Sequence, residues 1–329
     1  MPTAIFLFGA VQEYSTAHCK YHCEQFSFTP QKGIKNMKTR IISGIVMAII
    51  VAAVLALGLL VNPLFITVFV AVVAAIGTYE LVHNAAGIKS KAAFGGACVF
   101  AFLNIFALDT SFKDFIVENL VVRKCPDSAQ RVESFLHHWE LAVTGLCVLF
   151  FLYCVVMVLK NHKDFGLAQI ATLCGLPIPL TFAFACLSNV INLENGLYYL
   201  LMLLNFSSIC DMGAYFVGVT MGKHKLCPEI SPKKTVEGAI GGIVSSLVFT
   251  VIFVLSFGMT EKLVTSLIFT IPLCIVGMLG DLFASSIKRS VGLKDYGALI
   301  PGHGGVLDRV DSILLISPVL YLCVSFGVL

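Results

Sequence analysis

Nine stretches of this chain are apolar for about the length an α-helix needs to cross a hydrocarbon core. They cover roughly 41–61, 64–83, 92–108, 141–159, 167–187, 196–219, 238–258, 263–287 and 312–329. In lipid every backbone N–H and C=O must be satisfied within the protein, which leaves helices as the spanning form. The expected fold class is therefore an all-α polytopic membrane protein with about nine transmembrane helices and polar loops. Composition agrees: 58% of residues are hydrophobic and 12% charged, against about 25% charged in soluble domains. That balance excludes a soluble globular enzyme, a disordered chain and a DNA-binding domain. The net charge of +3 is too small to imply a nucleic-acid partner.

The charge is distributed unevenly. If the N-terminus shares one side with loops 2–3, 4–5, 6–7 and 8–9, that side holds 17 of the 22 Lys and Arg residues. The other side keeps only Lys113, Arg123, Lys124, Arg131 and Lys262. The positive-inside rule then predicts a cytoplasmic N-terminus and cytoplasmic loops 6–7 and 8–9. A miscount of one helix would scramble this segregation. Eight of the twelve cysteines lie within apolar runs, where a thiol packs as a small hydrophobe, so no disulfide framework is expected.

Residues 1–36 are polar, aromatic-rich and aperiodic. They contain His18, Cys19, His22 and Cys23, residue types that can bind zinc, but spaced more tightly than in a usual finger. Met37 opens a basic start followed at once by an apolar run, so the domain organisation expected is an extension over 1–36 and a transmembrane domain over 37–329.

Acidic residues inside spans are costly and usually functional. Asp211 and Asp281 lie inside spans six and eight, each beside a glycine that suggests close helix packing. Glu80 lies near the end of span two and reads as an interfacial side chain reaching water. The two polar loops that follow spans six and eight hold Lys223, Lys225, Lys233, Lys234, Lys288, Arg289, Lys294 and Arg309, interleaved with glycines such as Gly304 and Gly305. Cations neutralise phosphate oxygens, and glycine lets backbone N–H groups approach them, so the combination suits a polyphosphate. Asp281, Ser285 and Lys288 fall on one helical face, as do Asp308 and Asp311. Asp281, Asp308 and Asp311 beside such loops suit Mg²⁺, which binds through one or two carboxylates plus substrate phosphates. His303, between glycines, shapes the turn or donates to a phosphate.

The segment from Ser285 to Ser312, SSIKRSVGLKDYGALIPGHGGVLDRVDS, closely resembles the signature of phosphatidate cytidylyltransferases, also called CDP-diacylglycerol synthases. That signature places Ser, Lys-Arg, Lys-Asp, a glycine-rich stretch with His-Gly-Gly, and Asp-Arg-x-Asp where this chain has Ser285, Lys288, Arg289, Lys294, Asp295, His303, Gly304, Gly305, Asp308, Arg309 and Asp311. The upstream stretch from Asp211 to Gly242 is also similar. The likeness covers about 37–329. NFSSIC ahead of Asp211 departs from many relatives, and 109–138 stands out as a long loop of open role.

The resemblance implies cytidylyl transfer from CTP to phosphatidate, giving CDP-diacylglycerol and pyrophosphate. It implies Asp281, Asp308 and Asp311 as a Mg²⁺ centre, with room for a second metal or a monovalent cation, and with Lys288, Arg289 and Lys294 catalytic. Asp211, Lys223, Lys233, Lys234, Ser285, His303, Gly304, Gly305 and Arg309 would bind substrate. It also implies an integral membrane location, in a bacterium the inner membrane, and leaves a homodimer open. The rivals are a CTP-dependent transferase or kinase acting on another lipid, and a transporter. A transporter would place its acids toward the bilayer midplane, whereas the polar clusters here crowd one surface.

Overall fold

The computed structural model describes residues 30–122, 129–162 and 165–329. The His18–Cys23 cluster, Arg123, Lys124 and Lys163 lie outside the described residues. The chain folds into α1 (Pro30–Leu60), α2 (Leu64–Tyr79), α3 (Lys91–Leu108), α4 (Thr110–Ile116) and α5 (Ala129–Lys160). There follow α6 (Leu167–Gly175), α7 (Pro177–Ile191), α8 (Gly196–Leu204), α9 (Cys210–Met221), α10 (Val236–Ser256), α11 (Leu263–Ser290) and α12 (Leu307–Ser325). A small antiparallel hairpin, β1 (Lys225–Cys227) and β2 (Ser231–Thr235), joins α9 to α10.

Among the described residues, eight helical stretches are long and apolar enough to cross a membrane. The ninth expected span is α12, whose first turns carry Asp308, Arg309 and Asp311. Span five is broken at Leu176, where Pro177 opens α7. Pro lacks an N–H and fits a first helical turn. The stretch 109–138, expected as a loop, contains α4 and the start of α5. Asp109 caps α4 by accepting from the Phe112 N–H at 2.9 Å. Such a cap is a local polar signal that apolar periodicity does not register.

Long-range contacts sort the helix ends. Ser43 near the start of α1 contacts the 300–303 turn, the end of α2 contacts residues 296–307, and β2 contacts α11. At the opposite end, Thr110 and Asp109 bond to Asn189 and Ser188 of α7. Lys262 there donates to the Tyr199 hydroxyl at 2.9 Å. The loops grouped by their basic residues thus share one end of the bundle.

Close approach of α9 and α10 depends on small residues. A Cβ added to Gly242 would stand 2.5 Å from the Cys210 carbonyl oxygen, and one on Gly238 2.7 Å from the Ala214 oxygen. Small residues one turn apart let helix backbones meet in this way. Polar side chains tie the pair to the rest: Asn205 donates to the Ser246 carbonyl at 3.1 Å and the Thr250 hydroxyl at 3.0 Å, and Thr250 bonds Thr270 of α11 at 2.8 Å. Asn205 opens a π-helical turn, Asn205–Ile209, immediately before Asp211.

Gly242→Val should push α10 off α9 and cost about 1–3 kcal/mol of stability through overpacking. Gly95→Ala is the control, because nothing lies within 4 Å of the added Cβ. Thermal unfolding in detergent measures both, and equal melting temperatures would contradict the close crossing.

Candidate active site

Two adjoining polar regions occupy the end of the bundle that holds the basic loops. The first is a cavity of about 630 Å³ between α9, the hairpin, α10 and α11. Asp211, Lys225, Lys233, Lys234 and Asp281 line it, together with Gly218, Gly222 and Gly238. Lys234 forms an ion pair with Asp281 at 2.5 Å. The Ser285 hydroxyl donates to the other Asp281 oxygen at 3.3 Å, so the one-face spacing of Asp281 and Ser285 is realised. The hairpin is anchored by Glu237 in the first turn of α10, which accepts from the backbone N–H groups of Lys223 and His224 and pairs with the His224 ring at 2.6 Å.

The second region joins the end of α11 to the start of α12. Lys288 is buried, and its ammonium donates to Asp308 Oδ1 at 2.8 Å and lies 3.9 Å from Asp311 Oδ2. Asp308 Oδ2 accepts two backbone N–H groups, Tyr296 at 2.8 Å and Gly305 at 3.0 Å. The Lys288 ammonium also sits 5.2 Å from the centre of the Tyr296 ring, within range of a cation–π contact. Burial pushes the Tyr296 phenol above its usual range, with Asp308 and then Asp311 adding to the effect. The phenol donates to the Ala284 carbonyl at 3.0 Å. Asp311 accepts from the Ser312 N–H at 2.8 Å.

Asp281 connects the two regions, standing within electrostatic reach of Asp211 on one side and Asp311 on the other. Gly280 makes this possible, since a Cβ there would lie 3.0 Å from the Asp311 carbonyl oxygen.

Several expectations change. Asp308, expected in a metal centre with Asp281 and Asp311, pairs in this structure with Lys288 and two backbone amides. Among the described residues, no group of three or more His, Cys, Asp or Glu is placed to hold a metal ion. The donor set that suits a hard divalent ion is Asp211 with Asp281, in the cavity, with Asp311 adjacent. The glycine-rich turn also differs from a phosphate cradle: the Gly305 N–H serves Asp308, and the Val306 and Leu307 N–H groups serve Glu80. Glu80 itself is buried at 2% exposure, not interfacial, because residues 296–307 fold over it. His303 bonds Ser43 of α1 at 2.8 Å through Nδ1, which ties the turn to α1. Arg289, Lys294 and Arg309 are exposed beside the site, and the Arg289 guanidinium donates to the Leu293 carbonyl. Lys223 is exposed at the hairpin's base.

Sequence reasoning missed Glu80, Asn84 and Tyr296 as parts of this region. Tyr296 lies within the signature but at a position whose side chain the pattern does not specify. Glu80 and Asn84 lie more than 200 residues away, so only the fold brings them in.

A family model described as the cytidylyltransferase family matches residues 38–326. A phosphatidate cytidylyltransferase of Bacillus subtilis is 38% identical over 183 residues, 55% of this chain and 67% of that protein. Phosphatidate cytidylyltransferases of Staphylococcus saprophyticus and Staphylococcus haemolyticus are 44% and 43% identical over 127 residues, 39% of this chain. Those matches span 49% of each staphylococcal protein, about half its length.

Removing one partner of a buried ion pair typically costs about 3–5 kcal/mol, because the other charge is left uncompensated. Asp308→Asn should therefore destabilise the protein by about that amount, judged by thermal unfolding. Asp281→Asn should cost less, because its side chain is 26% exposed where that of Asp308 is 2% exposed. Equal stability of the two variants would show that Asp308 is not the structural partner of Lys288.

Proposed function

The chain belongs to the cytidylyltransferase family, and on that premise we propose that it transfers the cytidylyl group of CTP to phosphatidate, releasing pyrophosphate and forming CDP-diacylglycerol for phospholipid synthesis. The observation that carries this reading is the cavity lined by Lys225, Lys233 and Lys234 with Asp211 and Asp281, about two turns along α11 from the Lys288 cluster. A phosphate oxygen of phosphatidate attacks the α-phosphorus of CTP. A new P–O bond forms, the bond to the β-phosphate oxygen breaks, and pyrophosphate leaves with the electron pair. The attacking phosphate is already ionised near neutral pH, so no general base is required.

The chain's part is positioning and charge compensation. Two phosphorylated anions repel each other, and the lysines of the hairpin reduce that repulsion. Lys234, paired with Asp281 at 2.5 Å, can exchange the carboxylate for a phosphate when nucleotide enters. Gly218, Gly222 and Gly238 let α9, α10 and Thr235 of the hairpin pack closely around the cavity, since a Cβ on any of them would meet protein atoms. Exposed apolar residues on the same helices, among them Tyr215, Val219 and Phe283, let the lipid tails remain in the bilayer while the head group enters. Asp211 and Asp281, with Asp311 adjacent, are the residues that would hold Mg²⁺. Bound there, the ion would neutralise charge on the phosphate oxygens.

The site end of the bundle faces the cytoplasm in this reading, and the N-terminus with it. The support is the basic-residue bias of those loops. In a background lacking the reactive native cysteines, a cysteine introduced at Ile230, between the hairpin strands, should resist an impermeant thiol reagent in intact cells and react after permeabilisation. Labelling in intact cells would reverse the orientation.

Purified protein given radiolabelled CTP, Mg²⁺ and phosphatidate should put label into lipid. Label entering a different lipid phosphate instead would change the substrate assignment, and no lipid label at all would remove the reading. Asp281→Asn and Lys234→Met should each retain less than about 1% of the rate, as when a preorganised charge is removed from a site, on the order of 10²–10³. Wild-type rates in both would place the chemistry elsewhere.

A further inference from the structure

Glu80 ends α2 and begins a π-helical turn, Glu80–Ala85. Short π segments inside helices often occur at functional sites. Among the described residues, no cation forms an ion pair with Glu80, although its side chain is 2% exposed. Its partners are instead two amides: Oε1 accepts from the Val306 N–H at 2.9 Å and Oε2 from the Leu307 N–H at 2.8 Å. These are the N-cap and first residues of α12, which has no capping side chain from its own sequence. A carboxylate at a helix N-terminus meets both the unpaired N–H groups and the positive end of the dipole.

Two glycines make room for this carboxylate. A Cβ on Gly297 would stand 2.7 Å from Glu80 Oε1, and one on Gly305 2.5 Å from Oε2. One turn further on, Asn84 donates to the Tyr296 carbonyl at 2.8 Å. Asp308, the residue after Leu307, takes the Tyr296 and Gly305 N–H groups and holds Lys288. One π turn therefore grips both ends of the segment from Tyr296 to Leu307.

We propose that Glu80 is a positioning residue for the transfer reaction: by capping α12 from α2, it sets where Asp308 and Asp311 stand relative to Lys288 and Asp281. Its role rests on the reading of the site as a cytidylyltransferase centre. Glu80 touches no substrate in this account. It acts through the backbone of residues 305–307. In Glu80→Gln one acceptor becomes an N–H₂ aimed at a backbone N–H, so one of the two hydrogen bonds is lost and replaced by repulsion. Gly305→Ala disturbs the same contact from the opposite side while the Glu80 charge is kept.

The test uses wild type, Glu80→Gln, Gly305→Ala and the double variant, purified from membranes in detergent. The kcat for CTP-to-phosphatidate transfer should fall on the order of 10–100-fold in each single variant, the scale of a misplaced catalytic group. The KM for CTP should stay within about twofold, because the hairpin lysines are untouched. The double variant should be no worse than the poorer single one, since both changes break one contact. Trypsin cleavage at Lys294, which does not depend on activity, should be faster in Glu80→Gln than in wild type. Normal kcat in an inserted Glu80→Gln protein, or additive losses in the double variant, would overturn the proposal. If wild type shows no transfer, the functional reading fails, and the trypsin comparison still decides the clamp: equal cleavage rates would overturn it.

Discussion

The ion pair between Lys288 and Asp308 is the contact on which the site end of this bundle depends. Both side chains are removed from water, so each would be strongly unfavourable alone. Together, at 2.8 Å, they fasten the last turn of α11 to the first turn of α12. The sixteen residues between the two helices are thereby folded into a compact turn, with Tyr296 packed at 1% exposure beneath the ammonium. Asp308 completes its set of partners with the amides of Tyr296 and Gly305. In this geometry Asp308 ties the end of the motif to the last turn of α11.

Backbone amides are the second recurring element. The start of α12 gathers two carboxylates: Asp308 from its own first turn, paired with Lys288, and Glu80 from the π turn after α2. Glu80 takes N–H groups that a helix leaves unpaired at its beginning, while Asp308 adds the amides of Tyr296 and Gly305 just ahead of it. Glu237 does the same at the base of the hairpin, where it takes the Lys223 and His224 amides. Carboxylate-to-amide contacts thus shape both polar loops, and the lysines of the hairpin are left to face the cavity.

Glycines and π turns set how near the helices come. Gly213, Gly238 and Gly242 allow α9 and α10 to cross at backbone contact, and Gly280 admits the backbone of α12 beside Asp281. The π turn at Asn205–Ile209 lies directly ahead of Asp211, and the one at Glu80–Ala85 directly against residues 296–307. Each inserts a local change of helical phase at the depth where a polar side chain must turn inward rather than toward lipid. Asp211, Asp281 and Asp311 are brought into one another's field by these contacts and not by their spacing along any single helix.

Much was legible without coordinates. Apolar runs of bilayer length give the helical class and nearly all the span positions, since period and length are local properties of the chain. The segregation of Lys and Arg also predicts which loops share an end, because that bias is written loop by loop. The pairing of Asp281 with Ser285 follows from four-residue spacing on one helix. What sequence could not show is every contact that closes across helices. Asp308 and Asp311 share a face with each other, yet whether they meet a metal ion or Lys288 depends on how α12 sits against α11. Glu80 reads as a surface acid because its partners, Val306 and Leu307, lie some 226 positions away. The hydrophobic pattern decides which segments enter the membrane. The crossing of those segments decides which buried charges find partners, because ion pairs and amide contacts act over a few ångströms of space, whatever the distance along the chain.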